Sequence, residues 1–269
     1  MGNSLNFKNN SLNQRIKSML KVDFRRMFKS KLFYILIACA LIMPILMTVM
    51  MAMMDGSVSR NPQTGEETIM VGPENAWQNI GTLPGGEEMG GNDVFMMCNI
   101  NMMFMAVAVF VCLFISDDFR SGYAKNLFTV RAKRGEYVIS KTIVGFLCGA
   151  FMLIAYLVGS LLGGAISGLS FDLCGLNTGN IVMCILAKIF LMLVFVSIFV
   201  LISIAAKQKA WLALCGSLGG GMLLFMMVSM VTPLGSTIVH VGLCLAGGII
   251  FALCLGLISK AILSKTALV

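Results

Sequence analysis

Six long runs of apolar residues leave few folds open to this chain. They cover residues 32–54, 94–116, 142–166, 181–206, 211–231 and 238–259. Each has about 20 residues or more, the length that a helix needs to cross a hydrocarbon core about 30 Å thick. None shows the segments of about ten alternating residues that mark a membrane barrel. Because only 12% of the residues are charged, the sequence predicts an all-α membrane protein with six transmembrane helices.

Lysine and arginine are shared unequally among the connections between these runs, and this bias predicts the orientation. Residues 1–31 hold eight basic residues and one acid, and residues 117–141 hold six basic residues and three acids. Residues 55–93 hold one basic residue and seven acids. We therefore expect both termini and the segment 117–141 in the cytoplasm and the acidic loop outside. The net charge of +8 then reflects loops beside an anionic leaflet, and no nucleic-acid partner is expected.

The same pattern divides the chain into parts. An N-terminal cytoplasmic segment covers residues 1–31, a six-helix membrane domain covers 32–259, and a cytoplasmic tail covers 260–269. The N-terminal segment is too long, and the first apolar run too extended, for a cleaved signal peptide, so we expect it to be retained. The outer loop 55–93 is rich in glycine, which predicts a lid or a flexible loop without a core of its own.

The N-terminal segment carries apolar side chains at spacings of three and four, which predicts an amphipathic helix. The apolar positions are Leu12, Ile16, Met19, Leu20, Phe24, Met27 and Phe28. Lys17, Lys21 and Arg25 lie on the opposite face, so the helix suits the interface between anionic headgroups and lipid tails. Asp23 interrupts the apolar face. It either pairs locally with Arg26 or contacts a cytoplasmic partner.

Few polar side chains fall inside the apolar runs. Lys188 is the only basic residue well within one, where a charge at mid-membrane costs about 2.5 to 3.5 kcal/mol. We expect its side chain to extend to the outer interface, with a place on a substrate path as the alternative. The single histidine, His240, and the nine cysteines show no metal-ligand spacing. Cys98 and Cys174 approach the outer face and could pair, but we expect free thiols.

The segment 117–141 reads DDFRSGYAKNLFTVRAKRGEYVISK and separates the second apolar run from the third. Large apolar residues recur within it at helical spacing: Phe119, Tyr123, Leu127 and Phe128. This spacing predicts a short amphipathic helix, followed by a basic turn. The other link on the same side, 207–210, has only four residues. The longer segment is therefore the predicted contact for a cytoplasmic partner.

Two stretches of the chain form a pattern that a known family shares. In the first, Asp118 closes the second run, Gly122 follows four residues later, a basic turn covers 131–134, and Ser140 with Lys141 opens the third run. The second is VDFRRMFKSKLFYI, which leads into the first run. Together with six spans and cytoplasmic termini, these stretches resemble the membrane subunit of ABC-2 type exporters.

The resemblance implies a permease subunit that works with a separate ABC ATPase subunit, on which ATP and Mg²⁺ would bind. That partner would dock on the segment 117–141 and on the N-terminal helix. The candidate contacts are Asp118, Phe119, Gly122, Tyr123, Arg131, Lys133 and Arg134. We expect Phe119 and Tyr123 to act as anchors and Gly122 to permit close approach. No cofactor and no catalytic residue is expected on this chain, whose sequence has no GxxxxGK[ST] phosphate loop.

The resemblance also implies that two six-helix permeases, as a homodimer or a heterodimer, form the pathway in a bacterial-type plasma membrane. Small permeases rich in methionine resemble those that export peptide antibiotics, other antimicrobials or sodium. An amphipathic peptide or drug ranks first among these substrates. A non-transporting scaffold or sensor subunit would show the same spans. An intramembrane enzyme would need polar residues paired within the membrane. An adjacent ATPase gene would separate the transporter from the scaffold.

Overall fold

The computed structural model describes residues 12–60, 67–69, 72–81, 99–130, 134–173 and 175–265. These residues contain the helices α1 (Leu12–Lys29), α2 (Lys31–Met54), α3 (Met102–Arg120), α4 (Tyr123–Val130), α5 (Gly135–Ile166), α6 (Thr178–Ala206), α7 (Ala210–Val231) and α8 (Ile238–Lys265). Two short strands, β1 (Val58–Arg60) and β2 (Glu67–Ile69), pair antiparallel. A 3₁₀ turn follows at Ala76–Asn79.

Six of these helices confirm the predicted fold class, because each is long and apolar enough to cross a membrane: α2, α3, α5, α6, α7 and α8. They alternate in direction along the chain, so the connections lie at two ends of the bundle. One end carries α1, α4 and the link between α6 and α7, and we call it the α1 end. The other carries β1, β2 and the 3₁₀ turn, and we call it the hairpin end.

Two helix starts differ from those that hydropathy predicted. α3 begins at Met102 and not at residue 94, although residues 94–98 lie outside the described part of the chain. α5 begins at Gly135 and not at residue 142. The polar Ser140 and Lys141 lie in its extra turns and are buried against other helices. Hydropathy misses these turns because their polar side chains are paired inside the protein and not in water.

α3 lies at the centre of the bundle. In its most apolar 18-residue stretch 61% of the residues are buried, against 11% for α8 and 17% for α7. The outward side chains of α7 and α8 are large and apolar, as expected for helices that face lipid. α8 continues to Lys265, so the described part of the predicted tail, residues 260–265, is helical.

α2 and α5 pack closely along two glycines of α5. A Cβ atom on Gly159 would collide with the carbonyl oxygen of Leu41, and one on Gly163 would lie 3.0 Å from the Cα of Ile45. Only glycine allows the two backbones to approach so closely. Pro44 lies at the same contact and is buried, and Thr48 donates a hydrogen bond of 2.7 Å to its carbonyl oxygen.

At the hairpin end, residues 72–81 of the predicted outer loop are packed onto the connection between α5 and α6. Asn75 Nδ2 donates to the Asp172 carbonyl at 2.6 Å, and the Trp77 indole donates to the Phe171 carbonyl at 3.2 Å. Asn79 Nδ2 donates to Thr48 Oγ1 at 2.8 Å. These ten residues are therefore bonded to α2 and to the connection between α5 and α6, and the role of the loop 55–93 as a lid or a flexible loop stays a prediction. Cys98 and Cys174 both lie outside the described residues.

Candidate functional site

A cluster of buried charges lies at the α1 end, where three helices meet. Asp23 from α1 and Asp118 from α3 are each 0% exposed, and Lys141 from α5 is 2% exposed. Lys141 Nζ lies 2.8 Å from Asp23 Oδ1 and 2.7 Å from Asp118 Oδ2. One ammonium group therefore joins two carboxylates on two other helices. We call the group formed by Asp23, Arg26, Asp118 and Lys141 the charge cluster.

Two hydroxyl groups of α5 complete the bonds of these carboxylates. Ser140 Oγ donates to Asp23 Oδ2 at 2.6 Å, and the Tyr137 hydroxyl donates to Asp118 Oδ2 at 2.9 Å. Tyr137 itself is 1% exposed. Three residues within five positions of one helix thus serve two carboxylates from elsewhere. Bonds of this kind to ionised groups are shorter and stronger than bonds between neutral groups.

Arg26 supplies the second positive charge. Its Nη1 lies 2.6 Å from Asp118 Oδ1 and 3.7 Å from Asp23 Oδ1. The guanidinium group also stacks over the rings of Tyr123, at 4.4 Å, and Phe114, at 5.1 Å. Burial lowers the pKa of Arg26, but the carboxylates of Asp118 and Asp23 more than offset this, so its pKa is raised above the usual value. Arg26 therefore stays charged.

The charge cluster is balanced, with two carboxylates and two cations. Taking ions out of water costs several kcal/mol each, and mutual attraction repays this only when every partner is in place. Removing one partner leaves an uncompensated buried charge and costs about 3–5 kcal/mol. The cluster therefore favours one arrangement of α1, α3 and α5 strongly over others. The cluster thus links the three helices mechanically, because a movement of one of them is passed to the other two.

The short amphipathic helix predicted in the segment 117–141 is present as α4, Tyr123–Val130. α3 also continues to Arg120, and α5 begins at Gly135, so most of the segment is helical. Gly122 forms the turn between α3 and α4 with φ of +73°, a left-handed conformation that other residues rarely adopt. A Cβ atom there would meet nothing within 4 Å. Gly122 is thus required for the turn, and the described chain shows no close approach at it.

The aromatic residues predicted as anchors for a partner face the chain's own helices. Phe119 is 8% exposed and packs edge-on against Tyr137, with ring centroids 6.4 Å apart. Tyr137 therefore covers Phe119 in this conformation, and the role of Phe119 as an anchor for a partner stays a prediction. Tyr123 is partly buried under the guanidinium of Arg26. The face that α4 exposes is polar instead, with Lys125, Asn126 and Thr129.

Of the three remaining basic residues of the predicted site, only Arg134 lies in the described part of the chain. Arg131 and Lys133 lie outside the described residues. Arg134 directly precedes α5, and its guanidinium lies 5.6 Å from the centre of the Phe128 ring. The role of these residues in coupling, like that of Asp118, Gly122 and Tyr123, stays a prediction.

α1 lies along the bundle with three distinct faces. Met19, Asp23 and Met27 are buried against the other helices, and α1 makes its largest contact with α5. A flank of Ile16, Leu20 and Phe24 is half-buried, and the predicted basic residues Lys17, Lys21 and Arg25 are exposed. The amphipathic helix is thus present, and its position in the lipid interface stays a prediction.

Asp23 has partners that neither of its two predicted roles, a local pair with Arg26 or a contact with a cytoplasmic partner, included. Its distance to Arg26 is 3.7 Å, but its shorter bonds go to Ser140 and Lys141, more than a hundred positions away in sequence. Sequence reasoning named Arg26 as a partner of Asp23 but not of Asp118, and it missed Tyr137. The available signal was Tyr137, Ser140 and Lys141 at positions i, i+3 and i+4, which places all three on one face of α5.

A second buried lysine lies near the hairpin end. Lys188 on α6 is 1% exposed, and its Nζ donates to Asn101 Oδ1 at 2.7 Å and to Thr232 Oγ1 at 3.0 Å. The expectation that its side chain reaches the outer interface is wrong, because the ammonium group ends between α3, α6 and α7. Its alternative role on a substrate path stays a prediction. We call Lys188, Asn101 and Thr232 the Lys188 centre.

Comparisons with known proteins agree with the architecture. The family model for ABC-2 family transporter proteins matches residues 19–222. The match includes the charge cluster, α4 and the helices α2, α3, α5 and α6 in full. No curated protein and no solved structure matches the chain. Because the matched region covers more than half of a chain with six apolar helices, this multi-pass membrane protein belongs to the ABC-2 transporter family.

Proposed function

We propose that this chain is the permease subunit of an ATP-driven exporter and that a separate ATPase subunit binds ATP and Mg²⁺. The observation that carries this proposal is the charge cluster, which couples α1, α3 and α5 beside the short helix α4. A permease needs such a junction to pass a partner's movement into its membrane helices. Membership of the ABC-2 family supports an ABC ATPase as that partner.

The α1 end is proposed to face the cytoplasm. Its described surface exposes basic side chains from α1, from the link between α6 and α7, and from the end of α8: Lys17, Lys21, Arg25, Lys207, Lys209, Lys260 and Lys265. The hairpin end exposes the acids Glu74 and Asp172. This distribution is that of a membrane protein whose basic loops stay inside.

α4 is the proposed docking element for the ATPase. Its inner face is formed by Ala124, which is buried, and by Leu127 and Phe128, which are half-buried. Its outer face presents Lys125 and Asn126, so a partner would meet polar side chains here. Force applied to α4 reaches the cluster through Tyr123, on which Arg26 stacks at 4.4 Å.

The pathway itself is proposed to form between two six-helix permeases, identical or different, in a bacterial-type plasma membrane. The large apolar side chains that α7 and α8 expose suit contact with lipid or with a second copy. The substrate is proposed to be an amphipathic peptide or drug, on the resemblance of this chain to small permeases with that role.

The test is co-purification with an ABC ATPase expressed together with this chain, followed by measurement of substrate-stimulated ATP hydrolysis. Lys125→Glu reverses a charge on the exposed face of α4 and should weaken recovery of the ATPase. Lys209→Glu is the matched control, because Lys209 is also exposed at the α1 end but lies in the other link.

Loss of the ATPase in both variants, or in neither, would contradict docking at α4. Recovery of an ATPase whose activity no candidate substrate changes would favour a scaffold or sensor subunit.

A further inference from the structure

The Lys188 centre differs from the charge cluster. Each cation of the charge cluster is paired with a carboxylate, whereas Lys188 bonds to none in the described part of the chain. Both acceptors of its ammonium group, the amide oxygen of Asn101 and the hydroxyl of Thr232, are neutral. The hydrogen bonds of this buried cation thus go to neutral oxygens, and the side chains of Cys184 and Cys244 also lie close enough to interact with its charge.

The centre joins the ends of two helices to a third helix. Asn101 directly precedes α3, Thr232 directly follows α7, and Lys188 is the eleventh residue of the 29-residue helix α6. Asn101 Nδ2 also donates to Ser229 Oγ at 3.3 Å, and Thr232 Oγ1 donates to the Val228 carbonyl at 2.7 Å. Separation of α3 from α7 at this end would therefore have to break the bonds of Lys188.

The packed outer segment closes the space above the centre. Leu234, two residues beyond Thr232, is 0% exposed, and a Cβ atom on Gly81 would lie 3.3 Å from its Cβ. Ser236 in the same turn is 1% exposed. Lys188 is 1% exposed, so water does not reach it in the described conformation, in which Gly81 packs against the turn after α7.

α3 connects this centre to the charge cluster. It runs from Asn101, bonded to Lys188, to Asp118, bonded to Lys141. At 1.5 Å per residue the helix spans about 28 Å, close to the thickness of the hydrocarbon core. A movement of the cluster would therefore reach the Lys188 centre through a single central helix.

The neutral acceptors make the closed conformation costly. A buried cation loses its hydration, and neutral oxygens recover less of that loss than a carboxylate would. Opening the hairpin end would return the ammonium group to water. We infer that Lys188 is a release element of the outer gate: the cost of burying its charge exceeds the gain from its two hydrogen bonds, so its rehydration favours opening. This inference rests on the proposed export function.

A release element and a simple brace predict opposite effects of one substitution. Lys188→Met keeps the length of the side chain and removes its charge. If Lys188 is a release element, the apolar variant no longer bears the cost of a buried charge, so the closed state is stabilised and opening becomes rarer. If Lys188 only braces the helices, loss of its two hydrogen bonds loosens the hairpin end.

The test is amide hydrogen exchange of the full-length chain alone in lipid nanodiscs, read at residues 99–104 and 230–237. Lys188→Met should slow exchange in both segments by about tenfold, which corresponds to opening that is costlier by about 1.4 kcal/mol. Thr232→Val removes one acceptor and leaves the charge, so it should speed exchange there. Exchange in α4 at the opposite end serves as the internal reference.

Faster or unchanged exchange in Lys188→Met would contradict the role of Lys188 as a release element, as would failure of this variant to fold. The measurement needs neither ATP nor a partner. A chain that shows the predicted exchange but neither binds an ATPase nor exports a substrate would refute the proposed function and leave the behaviour of the centre established.

Discussion

Two buried lysines, Lys141 and Lys188, lie near opposite ends of the same bundle and are held in different ways. Lys141 Nζ lies 2.7 and 2.8 Å from two carboxylates, whereas Lys188 Nζ lies 2.7 and 3.0 Å from neutral oxygens. A pairing of opposite charges is costly to break, because each buried ion would be left alone. A cation bonded to neutral groups is released more easily. The comparison suggests a permanent junction at one end and a separable contact at the other.

The largest expected effect distinguishes the two lysines directly. Lys141→Met leaves the carboxylates of Asp23 and Asp118 buried with one cation fewer and should destabilise the protein by about 3–5 kcal/mol. Lys188→Met removes a charge that has no carboxylate partner among the described residues, so it should cost far less. Thermal unfolding of both variants in the same detergent measures the difference. Equal losses of stability would mean that the carboxylate partners of Lys141 and the neutral partners of Lys188 do not make the two lysines differ in their contribution to stability.

A smaller effect is expected when the charge cluster loses an acid. Asp118→Asn should destabilise by about 3 kcal/mol, at the lower end of the range for a broken buried pair, because Lys141 keeps Asp23 as a partner. Asp117→Asn is the control on the adjacent residue, whose side chain is 70% exposed and lies 4.0 Å from Arg26. An exposed pair of this kind contributes about 1 kcal/mol or less. Similar unfolding temperatures for the two variants would mean that the buried ion pairs of Asp118 stabilise the protein no more than the exposed pair of Asp117.

The turn beside the cluster should show a smaller effect still. Gly122→Ala places a Cβ atom in open space but forces a left-handed conformation on alanine, which costs about 1–2 kcal/mol. We expect a modest fall in the unfolding temperature and weaker binding of the ATPase, because α4 shifts relative to α3. Unchanged stability would mean that the turn can relax without strain.

The sequence allows the six membrane helices and the amphipathic N-terminal helix to be predicted, because apolar length and helical periodicity are local properties. It also draws attention to Asp118, Gly122 and Lys141, since the resemblance to a family rests on them. It does not reveal that Asp23 bonds to Ser140 and Lys141, more than a hundred positions away. Such a pairing depends on how α1 lies against α5, which no local pattern encodes.

Lys188 illustrates the same limit. From sequence, a lysine within an apolar run is expected to extend its side chain toward the interface. The structure instead supplies two neutral acceptors from the ends of α3 and α7, at positions 101 and 232. Hydropathy judges a residue by its own polarity and not by its partners, so buried polar contacts between distant helices are missed.

The most direct test of the junction uses a variant that keeps the charge balance. The double substitution Asp118→Asn with Lys141→Met removes one acid and one base and leaves Asp23 with Arg26. It should therefore insert and fold better than either single variant. The measurement is substrate-stimulated ATP hydrolysis and transport by the complex in proteoliposomes. If the charge cluster couples α1, α3 and α5, the double variant should bind the ATPase and hydrolyse ATP, but substrate should no longer stimulate hydrolysis and transport should be lost. Normal stimulation and transport in the double variant would contradict the coupling role of the cluster.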